Sequence, residues 1–168
     1  LQKNDDVVVT QFPMFTLEEL GLLKMDFLGL RNLTVMKACE TEIRKRHPAF
    51  TLEQIPMDDH GVFEMLSAGD TDGVFQLESG GIRQVLTQLR PQNLEDIIAV
   101  ISLYRPGPME SIPKYIDNKH HPDHVTYRHP LLKPILEVTY GCIVYQEQVM
   151  QIVRDLAGYT LGRSDLVR

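Results

Sequence analysis

No run of apolar residues in this sequence is long enough to span a bilayer, and the opening Leu1-Gln2-Lys3-Asn4-Asp5-Asp6 has neither the basic nor the apolar region of a signal peptide. A soluble, cytoplasmic protein with no membrane partner is the expectation. Cysteine is scarce: Cys39 and Cys142 lie far apart in apolar surroundings, without CxxC or Cys/His ligand spacing. Both read as reduced, buried thiols. A basic surplus is missing too, since 17 Lys and Arg stand against 23 Asp and Glu for a formal charge of −6. Self-sufficient DNA-binding modules neutralise phosphates with excess cations, so any nucleic-acid contact here must be local. The chain lacks G-x-x-x-x-G-K-[ST], G-x-S-x-G and H-E-x-x-H, which removes support from phosphate-loop, serine-hydrolase and zincin readings. There is no internal repeat or low-complexity linker. The chain also opens without Met and stops at Leu166-Val167-Arg168 inside a helical pattern, which reads as a piece of a longer protein.

What is present is a globular composition, 43% apolar over 168 residues, enough for one core or two small ones. Val7-Val8-Val9-Thr10-Gln11-Phe12 is a β-branched run closed by Pro13, and predicts a strand. Thr16-Leu17-Glu18-Glu19 has capping-box spacing for one helical turn before Gly21. In Leu22 to Leu28 a period of two puts Leu23, Met25 and Phe27 on one face and Lys24 with Asp26 on the other, predicting a second, half-buried strand.

From Asn32 the period turns helical. Val35, Met36, Cys39 and Ile43 form a stripe on a helix that Pro48 stops. Shorter helices follow on Val62, Met65 and Leu66; on Ile82, Val85, Leu86 and Leu89; and on Leu94, Ile97, Ile98 and Ile101, the last entered through Asn93. Tyr104-Arg105-Pro106-Gly107-Pro108 must end that helix in a stiff loop. A helix near Ile112 to Lys119, a His/Pro-rich loop to His129 and a short helix opened by Pro130 come next. Tyr140 to Tyr145 is an apolar run of strand length, and Val149, Ile152, Val153 and Leu156 define a closing helix that restarts at Thr160. The fold class is mainly α with a small β contribution, an α+β chain.

Asp26 is the most informative single residue. A carboxylate facing out of a sheet, two positions from Lys24 on the same face, suits a metal ion with the lysine at a phosphate. The ordinary reading is an exposed ion pair, and one aspartate is an incomplete Mg²⁺ site. Asp70-Thr71-Asp72-Gly73 has D-x-D spacing but is bracketed by Gly69 and Gly73, and reads as a turn. His120, His121, His124 and His129 invite zinc through the i, i+4 pair His120/His124, against which Pro122 breaks the helix and no third ligand is spaced to help. They read as solvated loop histidines. Arg44-Lys45-Arg46-His47 reads as a favourable helix C-terminus.

Five blocks carry a resemblance. Gly21-Leu22-Leu23-Lys24-Met25-Asp26-Phe27-Leu28-Gly29-Leu30, Val74-Phe75-Gln76-Leu77-Glu78-Ser79, Leu103-Tyr104-Arg105-Pro106-Gly107-Pro108, Tyr140-Gly141 with Val144-Tyr145-Gln146-Glu147-Gln148-Val149-Met150, and Leu156-Ala157-Gly158-Tyr159-Thr160-Leu161-Gly162 resemble, in order, the alpha subunit of bacterial DNA polymerase III, a C-family replicative polymerase, in its DnaE rather than PolC type. The resemblance implies a C-terminal part of the palm over residues 1–31, with its end strands, and an N-terminal, helical part of the fingers over 32–168. It implies DNA-templated nucleotidyl transfer in chromosomal replication. Asp26 then matches the third catalytic aspartate, which with an upstream D-x-D holds two Mg²⁺ ions. Lys24 matches a lysine facing the nucleotide or primer end. Arg168 matches the first of two arginines at the triphosphate, and Arg105 lies in a matching motif and is carried as a nucleotide-binding residue. Implied partners are primer-template DNA and dNTP and, for the longer parent, the sliding clamp and other replicase subunits. The D-x-D is absent here, so the fragment alone is expected to be inactive; Gly80 stands where many relatives carry arginine and has no assigned role. The rival readings are a noncatalytic helical module that binds DNA or protein, and a zinc-dependent nuclease built on the histidines.

Overall fold

A computed structural model describes residues 7–168 and, as backbone alone, the strand Gln2–Asn4. The rest of the opening hexapeptide read above lies outside the described residues. The chain divides into two compact units, Leu1–Thr51 and Leu52–Arg168.

The first unit holds strands β1 (Gln2–Asn4) and β2 (Val7–Val9), paired antiparallel with Lys3 opposite Val8, and helices α1 (Met14–Glu19) and α2 (Arg31–Arg44). Only part of the predicted first strand forms, and the three valines of β2 stay exposed. Helix α1 begins after Pro13 with no side-chain cap, so the Thr16 capping box is not used. It ends where Gly21, at φ +81°, turns the chain and donates its N–H to the Glu18 carbonyl at 2.9 Å.

Several expectations are corrected in this unit. The strand predicted over Leu22 to Leu28 is neither helix nor strand, and Leu23, Met25, Phe27 and Leu28 are exposed, Phe27 at 91%. Alternation alone does not make a strand; a neighbouring backbone must complete the ladder, and among the described residues none pairs with this segment. On α2 the apolar stripe Val35, Met36, Ile43 faces out, Cys39 is exposed rather than buried, and the one buried side chain is Glu40, paired with Lys37.

The second unit is helical: α3 (His60–Ala68), α4 (Gly80–Leu89), α5 (Leu94–Leu103), α6 (Ile112–His120), α7 (Lys133–Leu136), α8 (Gln146–Ala157) and α9 (Leu161–Val167), with 3-10 turns at Pro108–Ser111, Pro122–His124, Pro130–Leu132 and Glu137–Thr139. Its core joins Phe63 and Leu66 of α3, Ile82, Leu86 and Leu89 of α4, Ala99, Val100 and Leu103 of α5, and Ile112 and Tyr115 of α6, with Cys142. Leu86 and Leu89 are wholly excluded from solvent. Local signals start and stop these helices. Asp59 caps α3, its carboxylate accepting from Gly61 N, and Gly69 ends it at φ +75°. Asn93 caps α5 by accepting from Asp96 N, and Thr160 caps α9 by accepting from Arg163 N. Packing of α4 against α5 leaves no room at Gly81, where a Cβ would collide with the Tyr104 hydroxyl and lie 3.0 Å from its Cζ.

The inward face of α5 differs from the predicted one. Leu94 and Ile98 are exposed, Ile97 and Ile101 are half-buried, and Asp96, Ala99, Val100 and Leu103 point inward. Asp96 is buried because Lys119 of α6 meets it: Lys119 Nζ lies 2.8 Å from Asp96 Oδ2, with side-chain exposures of 6% and 1%. The same ammonium donates to the Arg90 carbonyl at 3.0 Å and reaches the Leu89 carbonyl at 3.4 Å, closing the end of α4. Asp96 Oδ2 also accepts from Gln92 N at 2.9 Å. The predicted strand at Tyr140 to Tyr145 is absent as well: Tyr140 at φ +50° and Gly141 at φ +77° turn the backbone where a strand would run straight.

Removing one partner of the buried pair leaves a charge without compensation, so Asp96→Ala should lower stability by about 3–5 kcal/mol in urea unfolding. The double change with Lys119→Met should recover a large part of that loss. Thiol labelling should separate the cysteines: Cys39 reacts in the folded chain, whereas Cys142, buried and with its thiol pushed up by burial, reacts only on unfolding.

Candidate functional site

Helix α5 ends at Leu103 because Pro106 and Pro108 withhold N–H donors and Gly107, at φ +97°, turns the chain. Arg105 stands in this turn, its carbonyl accepting from Met109 N at 3.1 Å. Across the cleft α8 begins, and its start is fixed by Gln148. That side chain is 4% exposed. Its Oε1 accepts from Val144 N at 2.8 Å and Tyr145 N at 3.0 Å, and its Nε2 donates to the Ile135 carbonyl at 3.1 Å and Thr139 Oγ1 at 2.8 Å. With every hydrogen-bonding atom of the amide engaged, the backbone that leads into Gln146 has one course.

The resulting cleft, about 420 Å³, is lined by Ser102, Arg105, Pro106, Tyr145, Gln146 and Glu147 among others. Arg168 reaches the same residue from α9: its Nη1 donates to Gln146 Oε1, and its Nη2 lies 2.7 Å from Asp165 Oδ1. Of the arginines picked out in the sequence, Arg105 lines the cleft together with Gln146, and Arg168 is hydrogen-bonded to that glutamine. A guanidinium stays charged and offers a planar fork of donors, so such a pair suits the oxygens of a phosphate chain. Burial, then the carboxylates of Glu95 and Asp96, push the Tyr145 phenol above its ordinary value and keep it a neutral donor at the cleft wall.

Lys24 and Asp26 belong to the first unit. Lys24 Nζ lies 3.4 Å from Asp26 Oδ1, with side chains 60% and 68% exposed. A carboxylate oxygen is a fitting ligand for Mg²⁺, but one carboxylate is one ligand of several. Among the described residues Asp26 has no cluster of further carboxylates, imidazoles or thiols around it. What it offers is a free-standing oxygen donor beside a cation.

The other motifs resolve differently. Asp70 and Asp72 sit in the expected turn, exposed, with Asp72 paired to Arg83. The pairing of His120 with His124 does not form: His120 Nε2 bonds the Gln88 carbonyl at 2.9 Å, and His129 Nδ1 accepts from Leu131 N at 3.2 Å. Instead His121 and His124 meet on Asp117, with Nδ1 to carboxylate distances of 3.0 and 2.8 Å. The hydrogen bond from His124 leads in holding the Asp117 carboxyl below its ordinary range. The i, i+4, i+7 spacing of Asp117, His121 and His124 was present in the sequence, but only the turn after α6 brings the third residue back.

Residues 32–168 match the family model of the bacterial DNA polymerase III alpha subunit finger domain, and the chain belongs to that family. Over its whole length it is 53% identical to DNA polymerase III subunit alpha of Staphylococcus aureus strain COL, 52% to that of strain Mu50 / ATCC 700699 and 51% to that of Staphylococcus epidermidis strain ATCC 12228. The chain spans 16% of the length of each of these curated relatives.

Because buried Gln148 accepts from two backbone N–H groups and donates to the Ile135 carbonyl and the Thr139 hydroxyl, Gln148→Ala should cost about 2–3 kcal/mol of stability in urea unfolding. Gln146→Ala, at an exposed position, should leave stability within about 0.5 kcal/mol of the parent chain.

Proposed function

We propose that this chain supplies the end of the palm and the nucleotide-facing start of the fingers of a DNA-directed DNA polymerase, which adds deoxynucleotides to a primer 3′-end on a DNA template during chromosomal replication. The observation that carries this reading is that Gln146, which lines one cleft with Arg105, is hydrogen-bonded by Arg168. In this reading the two guanidiniums hold the triphosphate of the incoming dNTP, and Gln146 holds Arg168 in place until phosphate oxygens compete for it. Lys24 faces the nucleotide or the primer end, and Asp26 is one ligand of the catalytic metal pair. Bound Mg²⁺ ions supply activation of the primer hydroxyl and stabilisation of the pyrophosphate leaving group. The two other carboxylates come from parts of the parent outside this chain, so the chain alone is inactive. The exposed Leu23, Phe27 and Leu28 are consistent with a segment that completes a larger palm. Primer-template DNA, the sliding clamp and other replicase subunits are partners of the parent.

Primer extension by the parent polymerase tests this. Asp26→Asn keeps the size but removes the charge, and should lower kcat by about 100- to 1000-fold or more. Arg168→Ala should raise the KM for dNTP with a smaller loss in kcat, as expected for a group that binds phosphate in both ground and transition states. Wild-type extension by both variants, with unchanged thermal unfolding, would overturn the reading.

A further inference from the structure

We propose that Asp117, His121 and His124 form a binding site for one divalent transition-metal cation of the zinc class, which ties the end of α6 to the 3-10 turn that follows it.

Three potential ligands converge there. One donor atom from each of Asp117, His121 and His124 lies within 4.8 Å of the other two. The two imidazoles stack with centroids 4.9 Å apart and planes 22° from parallel, so that both Nδ1 atoms are turned to the same carboxylate. A tetrahedral zinc site with bonds of about 2.0–2.1 Å sets its donor atoms about 3.3 Å apart. His121 Nδ1 lies 3.0 Å from Asp117 Oδ1 and His124 Nδ1 lies 2.8 Å from Oδ2, so both rings already face the carboxylate, and rotation of the three exposed side chains brings one oxygen and the two nitrogens to that spacing.

The scaffold is built before the ion arrives. Asp117 lies between Tyr115, which is 2% exposed, and Lys119, which is locked to Asp96. His121 follows the last residue of α6, and its N–H donates to the Asp117 carbonyl at 2.8 Å. Pro122 opens the turn that returns His124, whose N–H donates to the His121 carbonyl at 2.9 Å. The site also sits at the C-terminal end of a nine-residue helix, where the aligned peptide dipoles favour positive charge.

The donor set selects the metal. Two imidazole nitrogens and one carboxylate suit Zn²⁺, Co²⁺ or Ni²⁺ and are a poor match for Mg²⁺ or Ca²⁺, which prefer oxygen alone. Three protein ligands leave the remaining position to water. To take the ion each ring presents a bare Nδ1 and carries its proton on Nε2, and the cation replaces the hydrogen bond between Nδ1 and the carboxylate. The gain is local order, because one bound ion spans eight residues that cross from helix to turn.

The test is calorimetric titration of the 168-residue chain with Zn²⁺, with far-UV circular dichroism confirming the fold of each protein. One zinc per chain is expected, with affinity falling by more than about 100-fold in His121→Gln and in His124→Gln. His120→Gln and His129→Gln should bind as the parent chain does, and thermal unfolding should rise with zinc in the parent chain but not in His124→Gln. Undiminished affinity in either His121→Gln or His124→Gln would overturn the proposal, as would absence of any binding by the parent chain at about 100 μM zinc.

Discussion

The helical unit depends on one buried ion pair. Lys119 and Asp96 are both withdrawn from water, and each makes further hydrogen bonds: the ammonium to the carbonyls that end α4, the carboxylate to the backbone that leads into α5. An ion pair in the interior is favourable only when its remaining donors and acceptors are satisfied, and here they are the loose ends of two helices. Three helices are thereby held at one point. The carboxylate also raises the phenols of Tyr115 and Tyr140, each already pushed up by burial, so the ring hydroxyls around it stay protonated.

From that point the polar contacts continue outward. Asn118, one residue before Lys119, donates to the Tyr140 carbonyl at 2.6 Å, which fixes the turn where Tyr140 and Gly141 take positive φ. Across that turn, the Thr139 hydroxyl donates to the Cys142 carbonyl and accepts from the Gln148 amide. Gln148 in turn sets the entry of α8, where Gln146 meets Arg168. The cleft is thus positioned by buried side-chain amides and hydroxyls rather than by regular secondary structure, which suits a surface assembled from loops and helix starts.

The periodic helices of the second unit were legible because their patterns are local: Ile82, Leu86 and Leu89 fall on one face of α4 whatever surrounds them. Caps at Asn93 and Thr160 and the stop at Pro106 to Pro108 were legible for the same reason. Helix α5 was misread because Leu94 to Leu103 is apolar on nearly every side, and the residue that orients it, Asp96, takes its partner from 23 positions away. The alternation at Leu22 to Leu28 was real but could not reveal whether a neighbouring strand exists. Of the candidate site, Arg105 and Arg168 were singled out through motif wording, while the hydrogen bond of Arg168 to Gln146 follows only from the fold. The meeting of His121 and His124 on Asp117 was hidden by the more familiar spacing of His120 and His124.

Gly81 gives the site a mutational boundary. Its missing side chain is the space that the Tyr104 ring occupies, and Tyr104 is joined directly to Arg105. A substitution at position 81 would therefore act as a spacer, moving the tyrosine and the arginine behind it without touching any polar group of the cleft. Position 81 has little freedom to drift, although it carries no chemistry of its own.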